Sequence, residues 1–364
     1  MRVKDVAQIL EELAPLAHAE DFDNVGLLVG NPENEVTGIL VTLDTLENVV
    51  DEAIERGHNL IVSFHPIIFK GLKRLTGANY VERAVIKAIT NQIAIYSIHT
   101  ALDNNQFGVN RKICEVLGIK NPEILIPKDK TLKKLTTYVP QKEAESLKHA
   151  LFHAGAGSIG KYSHCSFSSE GLGSFQAEEG ANPTLGMVGE THFEKEIQVN
   201  VVFSFEKEKA ITKVLKENHP YEEVAYEIYS MDNTNSYLGM GMLGTLEESI
   251  KEEDFLKEVK QKMKVPSIRH SKLLGKKIKK VAVLGGSGAF AIGAAKRAKA
   301  DIFLTADLKY HQFFEAENQI VLADIGHFES EQFTKDLLVD YLTKKIPNFA
   351  VALSESITNP IKYL

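Results

Sequence analysis

Two stretches far apart in the chain, NQIAIYSIHTALD at 91–103 and NQIVLADIGHFESE at 318–331, follow one script. Each is a short apolar run that ends in a histidine, with an acidic residue four positions on: His99 with Asp103, and His327 with Glu331. One extra residue precedes the second histidine. The runs before them match as well. NLIVSFHP and DIFLTADL occupy equivalent places and set His65 opposite Asp307. Helix starts do not require histidine, so a repeat of strand, histidine and acid together constrains the fold more than any single motif. It points to one α/β unit written twice.

The surrounding grammar agrees. Over 36–120, GILVTL, NLIVSF and QIAIYSI read as strands. LENVVDEAIERG, closed by Gly57, and NYVERAVIKAITN read as the helices between them, the alternation of a parallel sheet. The same order returns at 278–344 with KKVAVLGG, AFAIGAAKRAKA, DIFLTA and QIVLADI. Between the halves the pattern changes to strand (KLTTYVP), helix (KEAESLKHALFHAG), a Gly/Ser-rich part, strand (IQVNVVFSF), helix (KEKAITKVLKEN) and strand (EEVAYEIYS). If the middle portion supplies two strands, the order is β-α-β-β-α-β, a ferredoxin-like arrangement. The expected organisation is a duplicated two-lobed α/β domain, with lobes at 1–126 and 234–364 and a ferredoxin-like α+β insert at 127–233.

Composition sets limits on function. A chain of 364 residues, 44% hydrophobic and 25% charged, is that of a globular protein of two or three domains. A net charge of −7 argues against a nucleic-acid binder, which needs a basic face. Cys114 and Cys165 lack the spacing of a thiolate zinc site or a disulfide framework. The first twenty residues read as an amphipathic helix rather than a signal peptide, and no run of about 18 apolar residues spans a bilayer. A cytoplasmic protein is expected.

In an open parallel sheet, ligands bind at the carboxyl ends of the strands. His65, His99, Asp307 and His327 all fall at such ends, and Asp103 and Glu331 follow within one helical turn of a histidine. Imidazoles and carboxylates without cysteine suit Zn, Fe, Mn or a similar divalent ion. A carboxylate bridges two cations where an imidazole binds one, so two paired half-sites make a dinuclear centre plausible. The plainer alternatives are strand-end histidines bonded to backbone and acids at helix N-termini. Asp307 and His311, four apart, are either acid/base groups or partners behind a ligand, or else a pair on a helix surface. LGGSGAF at 284–290 either cradles an anion or eases a tight turn.

The ordered set DFDNVGLLVG, SFHPIIF, SIHTALDN, GGSG, LTADLKYH and GHFESE resembles the Nif-three-like family, whose members carry the label GTP cyclohydrolase 1 type 2 homologue. GSIGKYSHCSFSSEGLGSF and HPYEEVAYEIY resemble the PII- and CutA-like middle domain of its longer bacterial forms. The resemblance covers essentially the whole chain. It implies a hexameric ring with two divalent metal ions per chain and a metal-dependent hydrolase acting on a small, nucleotide-derived substrate. It implies one ion on His65, His327 and Glu331, and the other on Asp103, Glu331 and a histidine just before His65. That position is Phe64 here, which has no donor to offer, so the second ion is expected to be held less well unless His99 or water compensates. His99, Asp307 and His311 are then the nearby acid/base candidates. A non-catalytic metal-binding ring, with the insert as sensor or partner module, is the reading that Phe64 favours. DNA binding through the ring's central hole rests on the resemblance alone and is opposed by the acidic balance.

Overall fold

A computed structural model describes residues 1–364. The chain divides into two compact units, Met1–Pro127 with Ser236–Leu364, and Lys128–Asn235.

In the first unit the N-terminal helix Val3–Leu13 buries Val3, Val6 and Leu10, the stripe its 3.6-residue period requires. Four strands follow: β1 (Gly26–Val29), β2 (Ile39–Thr42), β3 (Leu60–Ser63) and β4 (Ala94–Ser97). Every residue of β2, β3 and β4 is buried, because helices Glu47–Glu55 and Tyr80–Thr90 and the core of the unit leave neither face of the sheet to water. These three strands run parallel, with Leu40 beside Ile61 and Ile61 beside Ile95. β1 lies antiparallel against β4. β5 (Lys120–Lys128) then leaves this sheet.

The second unit contains β6 (Leu132–Pro140), helix Ala144–His153, β7 (Ser166–Gln176), β8 (Thr191–Ser204), helix Glu208–Asn218 and β9 (Tyr226–Met231). Its sheet runs β7-β8-β6-β9 with every neighbour antiparallel. Leu135, Val139, Val199 and Val201 face Leu147, Leu151, Ile211 and Leu215 of the two helices in a core of their own.

The chain returns to the first unit through β10 (Asn235–Lys251), β11 (Arg269–His270), β12 (Lys277–Ser287), β13 (Ile302–Ala306), β14 (Val321–Asp324) and β15 (Val351–Leu353). Strands β12, β13 and β14 are parallel, and β11 is antiparallel to β14. The two sheets therefore share an order, β1-β4-β3-β2 in one and β11-β14-β13-β12 in the other, so the repeat in the sequence is a repeat in topology.

One feature departs from two separate lobes. β15, from the C-terminal half, pairs in parallel with β2, and β5, from the N-terminal half, closes the other sheet beside β10. No helix is long and apolar enough to cross a membrane.

Candidate metal centre

The carboxyl edges of the two parallel sheets supply the polar groups. His65 lies two residues beyond β3. His99 and His327 each open a five-residue helix that ends on the paired acid, His99–Asp103 and His327–Glu331. The i to i+4 spacing sets His327 and Glu331 on one face, with Nε2 and Oε2 3.2 Å apart. From the other sheet His65 brings its Nε2 to 3.1 Å from the same Oε2. One donor atom each from His65, His327 and Glu331 thus lies within 4.8 Å of the others.

Each imidazole is fixed from behind. His65 Nδ1 is 2.8 Å from Asp44 Oδ1, and His327 Nδ1 is 2.7 Å from Asp307 Oδ2. His99 Nδ1 is 2.9 Å from Asp23 Oδ1, while Asp23 Oδ2 accepts from the Thr100 amide at 3.0 Å. A carboxylate at Nδ1 keeps that nitrogen protonated and leaves Nε2 as the available donor atom, the arrangement seen behind metal-binding histidines. In both sheets the acid comes from the strand next to the one carrying the histidine. Asp44 follows β2 and serves the histidine after β3; Asp307 follows β13 and serves the histidine after β14.

The electrostatics show how tightly these groups are confined. Burial opposes charge on Glu331, but His65 and His327 outweigh it and hold the carboxyl down at about 2. Burial likewise opposes charge on the two imidazoles. Glu331 and Asp44 nonetheless push His65 up to about 10, and Asp307 and Glu331 push His327 up to about 11. Asp103 is shifted the other way, well above the usual carboxylate range, by burial and then by the charge of Glu331. Against burial, His99 and Thr100 bring Asp23 down to about 2.

Three buried atoms, His65 Nε2, Glu331 Oε2 and Asp103 Oδ1, make no hydrogen bond. Buried polar atoms are ordinarily satisfied. Orphans that converge, all nitrogen or oxygen, fit a divalent cation shared by His65, His327 and Glu331. Beyond Glu331 the fit is poorer. Asp103 offers an oxygen, but Phe64 is fully buried, its ring centroid 4.9 Å from that of His65 and 5.4 Å from that of His99. An apolar ring thus stands among the imidazoles.

Gly285 and Gly286, at the end of β12, do not cradle an anion. Their amides donate to Asn110 Oδ1 and Ser330 Oγ, each at 2.9 Å. Their role is space. A Cβ on Gly286, whose φ is +67°, would lie 2.4 Å from Glu331 Oε1.

Two cavities flank the cluster. One of about 230 Å³ is bounded by Phe22, His99, Asp103, Phe290, His327 and Glu331. The other, of about 490 Å³, is bounded by Asp44, His65, Tyr80, Thr358 and Pro360.

The structure therefore brings together His65, Asp103, His327 and Glu331, with His99 and Asp307 at their edge. It does not bring in His311. Asp307 adopts a left-handed φ of +57° and a 3-10 helix starts only at Tyr310, so the two are not neighbours on one helix. His311 is exposed, with its ring against Tyr310 and Phe314. The residues missed by sequence reasoning are Asp44, Asp23 and Thr358, whose Oγ1 donates to Asp44 Oδ2 at 2.8 Å. Asp44 had a signal, its place at the carboxyl end of β2.

The Duf34/NIF3 (NGG1p interacting factor 3) family model matches residues 1–360. The chain belongs to this family. Among its NIF3 relatives, the GTP cyclohydrolase 1 type 2 homolog of Bacillus subtilis is 39% identical over 367 residues, covering 99% of this chain and 98% of that one. The protein of the same name from Staphylococcus aureus strain COL is 33% identical over the full length of both. A solved NIF3-related protein of Bacillus cereus superposes with a TM-score of 0.88 at 35% identity, covering 100% of this chain and 99% of that one. A Staphylococcus aureus protein superposes at 0.79 with 31% identity and the same coverage.

Proposed function

We propose that this NIF3 protein is a metal-dependent, hydrolase-like enzyme with an unequal dinuclear centre, acting on a small, nucleotide-derived substrate. The carrying observation is the convergence of donor atoms from His65, His327 and Glu331 beside a cavity, with His65 Nε2 and Glu331 Oε2 buried and unbonded. These three residues would hold the first ion, with Zn, Fe or Mn suited to the donor set. Asp103 and Glu331 would hold a second ion more weakly, because Phe64 offers no donor. A divalent ion in such a site supplies Lewis acidity toward water and toward the substrate's electrophilic centre.

The chain's own residues do the rest. Asp44 and Asp307 fix the two ligand imidazoles, and Phe22 and Phe290 wall the cavity with apolar rings that suit a flat heterocycle. His99, held at Nδ1 by Asp23, presents its ring to the same cavity and serves as the acid/base that moves a proton to or from substrate. The name of the curated relatives supports a purine nucleotide such as GTP as the first substrate to try.

Phe64 favours a second reading, in which the centre binds metal without turnover and the insert is a sensor or partner module. Its β-α-β-β-α-β order and all-antiparallel sheet are ferredoxin-like, the arrangement of PII- and CutA-like domains. In either reading the chain works as a cytoplasmic homohexameric ring. Exposed Phe167, Leu172 and Phe193 on the insert are apolar surface suited to contact between copies.

Metal analysis of protein purified without added ions tests the centre, paired with Glu331→Ala. Wild type should carry at least one ion per chain and the variant close to none. Less than about half an ion per chain, unchanged by the substitution, would sink the metal reading. Incubation with GTP, followed by ring opening and phosphate release, separates the two functions. His99→Gln should abolish turnover while keeping its metal; wild type with full metal and no turnover on a panel of nucleotides would favour the binding reading.

A further inference from the structure

A cavity lies within the insert, wholly among residues Lys128–Asn235, and shares no residue with the metal centre. It measures about 530 Å³, inside the range of roughly 300–1,000 Å³ typical of small-molecule sites. The β7–β8 hairpin forms one wall and the segment around 221–225 the other. Two bonds staple these walls together: the Asn182 amide donates to Glu222 Oε2 at 2.9 Å, and Thr184 Oγ1 donates to the Pro220 carbonyl at 2.7 Å.

The lining is chemically one-sided. Tyr138, Phe175, Tyr221 and Leu172 contribute rings and an aliphatic chain, with Phe175 and Tyr221 edge to face at 5.6 Å between centroids. Four glutamates, at 170, 196, 222 and 223, also line it, and no lysine or arginine does. Glu196 stands apart from the other three because it is nine-tenths buried. One of its oxygens accepts the Tyr221 hydroxyl at 2.7 Å. The other lies over Gly173, whose missing side chain leaves the room, since a Cβ there would come within 2.2 Å of it. Tyr221 is the donor that reaches this carboxylate, and its second oxygen stays accessible from the cavity. A carboxylate held mostly out of bulk water attracts a cation at its open oxygen more strongly than a fully solvated one does.

The frame around Glu196 is rigid. His219 Nδ1 accepts from the Tyr221 amide at 3.1 Å, so its Nε2–H donates to the Tyr138 carbonyl at 2.9 Å, and the two tyrosines are tied through one neutral imidazole. Aromatic faces beside a buried anion attract an organic cation twice, through the ring quadrupole and through the charge.

We infer that this pocket binds a small organic cation, an amine or guanidino compound with an apolar body, its charge on Glu196 and its body between Tyr138, Phe175 and Tyr221. The site requires no metal, so its test is independent of the metal centre.

Titration calorimetry on the full-length protein, with benzylamine, benzyl alcohol and benzoate as probes, tests it. Benzylamine should bind saturably and at least about tenfold tighter than its neutral isostere, with benzoate weakest, as for a charged hydrogen bond in a partly dry site. Glu196→Gln keeps an acceptor for Tyr221 and should erase the preference for the amine. Ala181→Trp, at an exposed position of the lining, should block all three probes without touching the sheet. The proposal is overturned if benzylamine binds wild type no better than benzyl alcohol, if Glu196→Gln with an unchanged melting curve keeps the preference, or if Ala181→Trp leaves amine binding intact.

Discussion

Glu331 and His65 belong to different sheets, yet Oε2 of one lies 3.1 Å from Nε2 of the other. With His327 on the far side of the same oxygen, the carboxylate joins the two halves of a repeated unit at the carboxyl edges of both. The centre exists only where the halves meet.

Asp307 tests how far the groups behind the imidazoles matter. Asp307→Asn keeps the shape but replaces the acceptor that fixes His327. Zinc affinity, measured against a competing chelator, should fall about 10- to 100-fold.

Phe64→His adds a nitrogen donor where the ring now stands. Without metal, a polar imidazole in place of a fully buried ring should destabilise the protein by about 1–3 kcal/mol. With excess zinc the loss should be reversed, and bound metal should rise toward two ions per chain. A variant that gains no metal would show that Phe64 does not occupy a ligand position.

Gly286→Ala tests the space around Glu331. The left-handed φ alone costs about 1–2 kcal/mol for a residue with a Cβ, and the added methyl displaces the carboxylate from 2.4 Å contact. Lower thermal stability and weaker metal retention should appear together. Gly57, also at positive φ but with nothing within 4 Å of an added Cβ, is the control and should lose stability alone.

The pH response of the metal-free protein follows from the raised histidines. Folded pKa values of about 10 for His65 and about 11 for His327 exceed the ordinary 6.5, so the folded state holds protons that the unfolded chain releases. Their stabilisation is complete below pH 6.5 and is lost as pH climbs through the folded values. Urea midpoints of chelator-treated protein should fall between pH 7 and 10. Metal affinity should run the opposite way, rising with pH, because an ion displaces the Nε2 protons. Calorimetry of zinc binding at pH 8, in buffers of differing ionisation enthalpy, should show protons released.

Much of this was legible in the sequence because it was written twice. The strand–helix alternation and the two histidine–acid pairs repeat, and each histidine opens a helix, as expected. What does not repeat was missed. Asp44 follows β2, whereas the corresponding end of β12 carries Gly285 and Gly286, so comparing the halves draws no attention to it. Asp23 stands alone in a loop. β5 carries Pro122 and Pro127, which hide a strand from its sequence; as the edge strand of its sheet it tolerates prolines that an interior strand would not. β15 has three residues, too few for any period to show. His311 misled through its spacing, which means a shared face only on a continuous helix.

The exchange of edge strands bears on how the protein is made. β2 has one flank open until Val351–Leu353 arrives, and the sheet bearing β12 to β14 waits in turn for β10 to join it to β5. During synthesis the first sheet emerges with His65 in place and no Glu331 to meet it. It must stay soluble while the whole insert and the second sheet are translated. The insert, with all four of its strands contiguous in the chain, has no such wait and can fold on leaving the ribosome, before the halves that flank it have closed on each other.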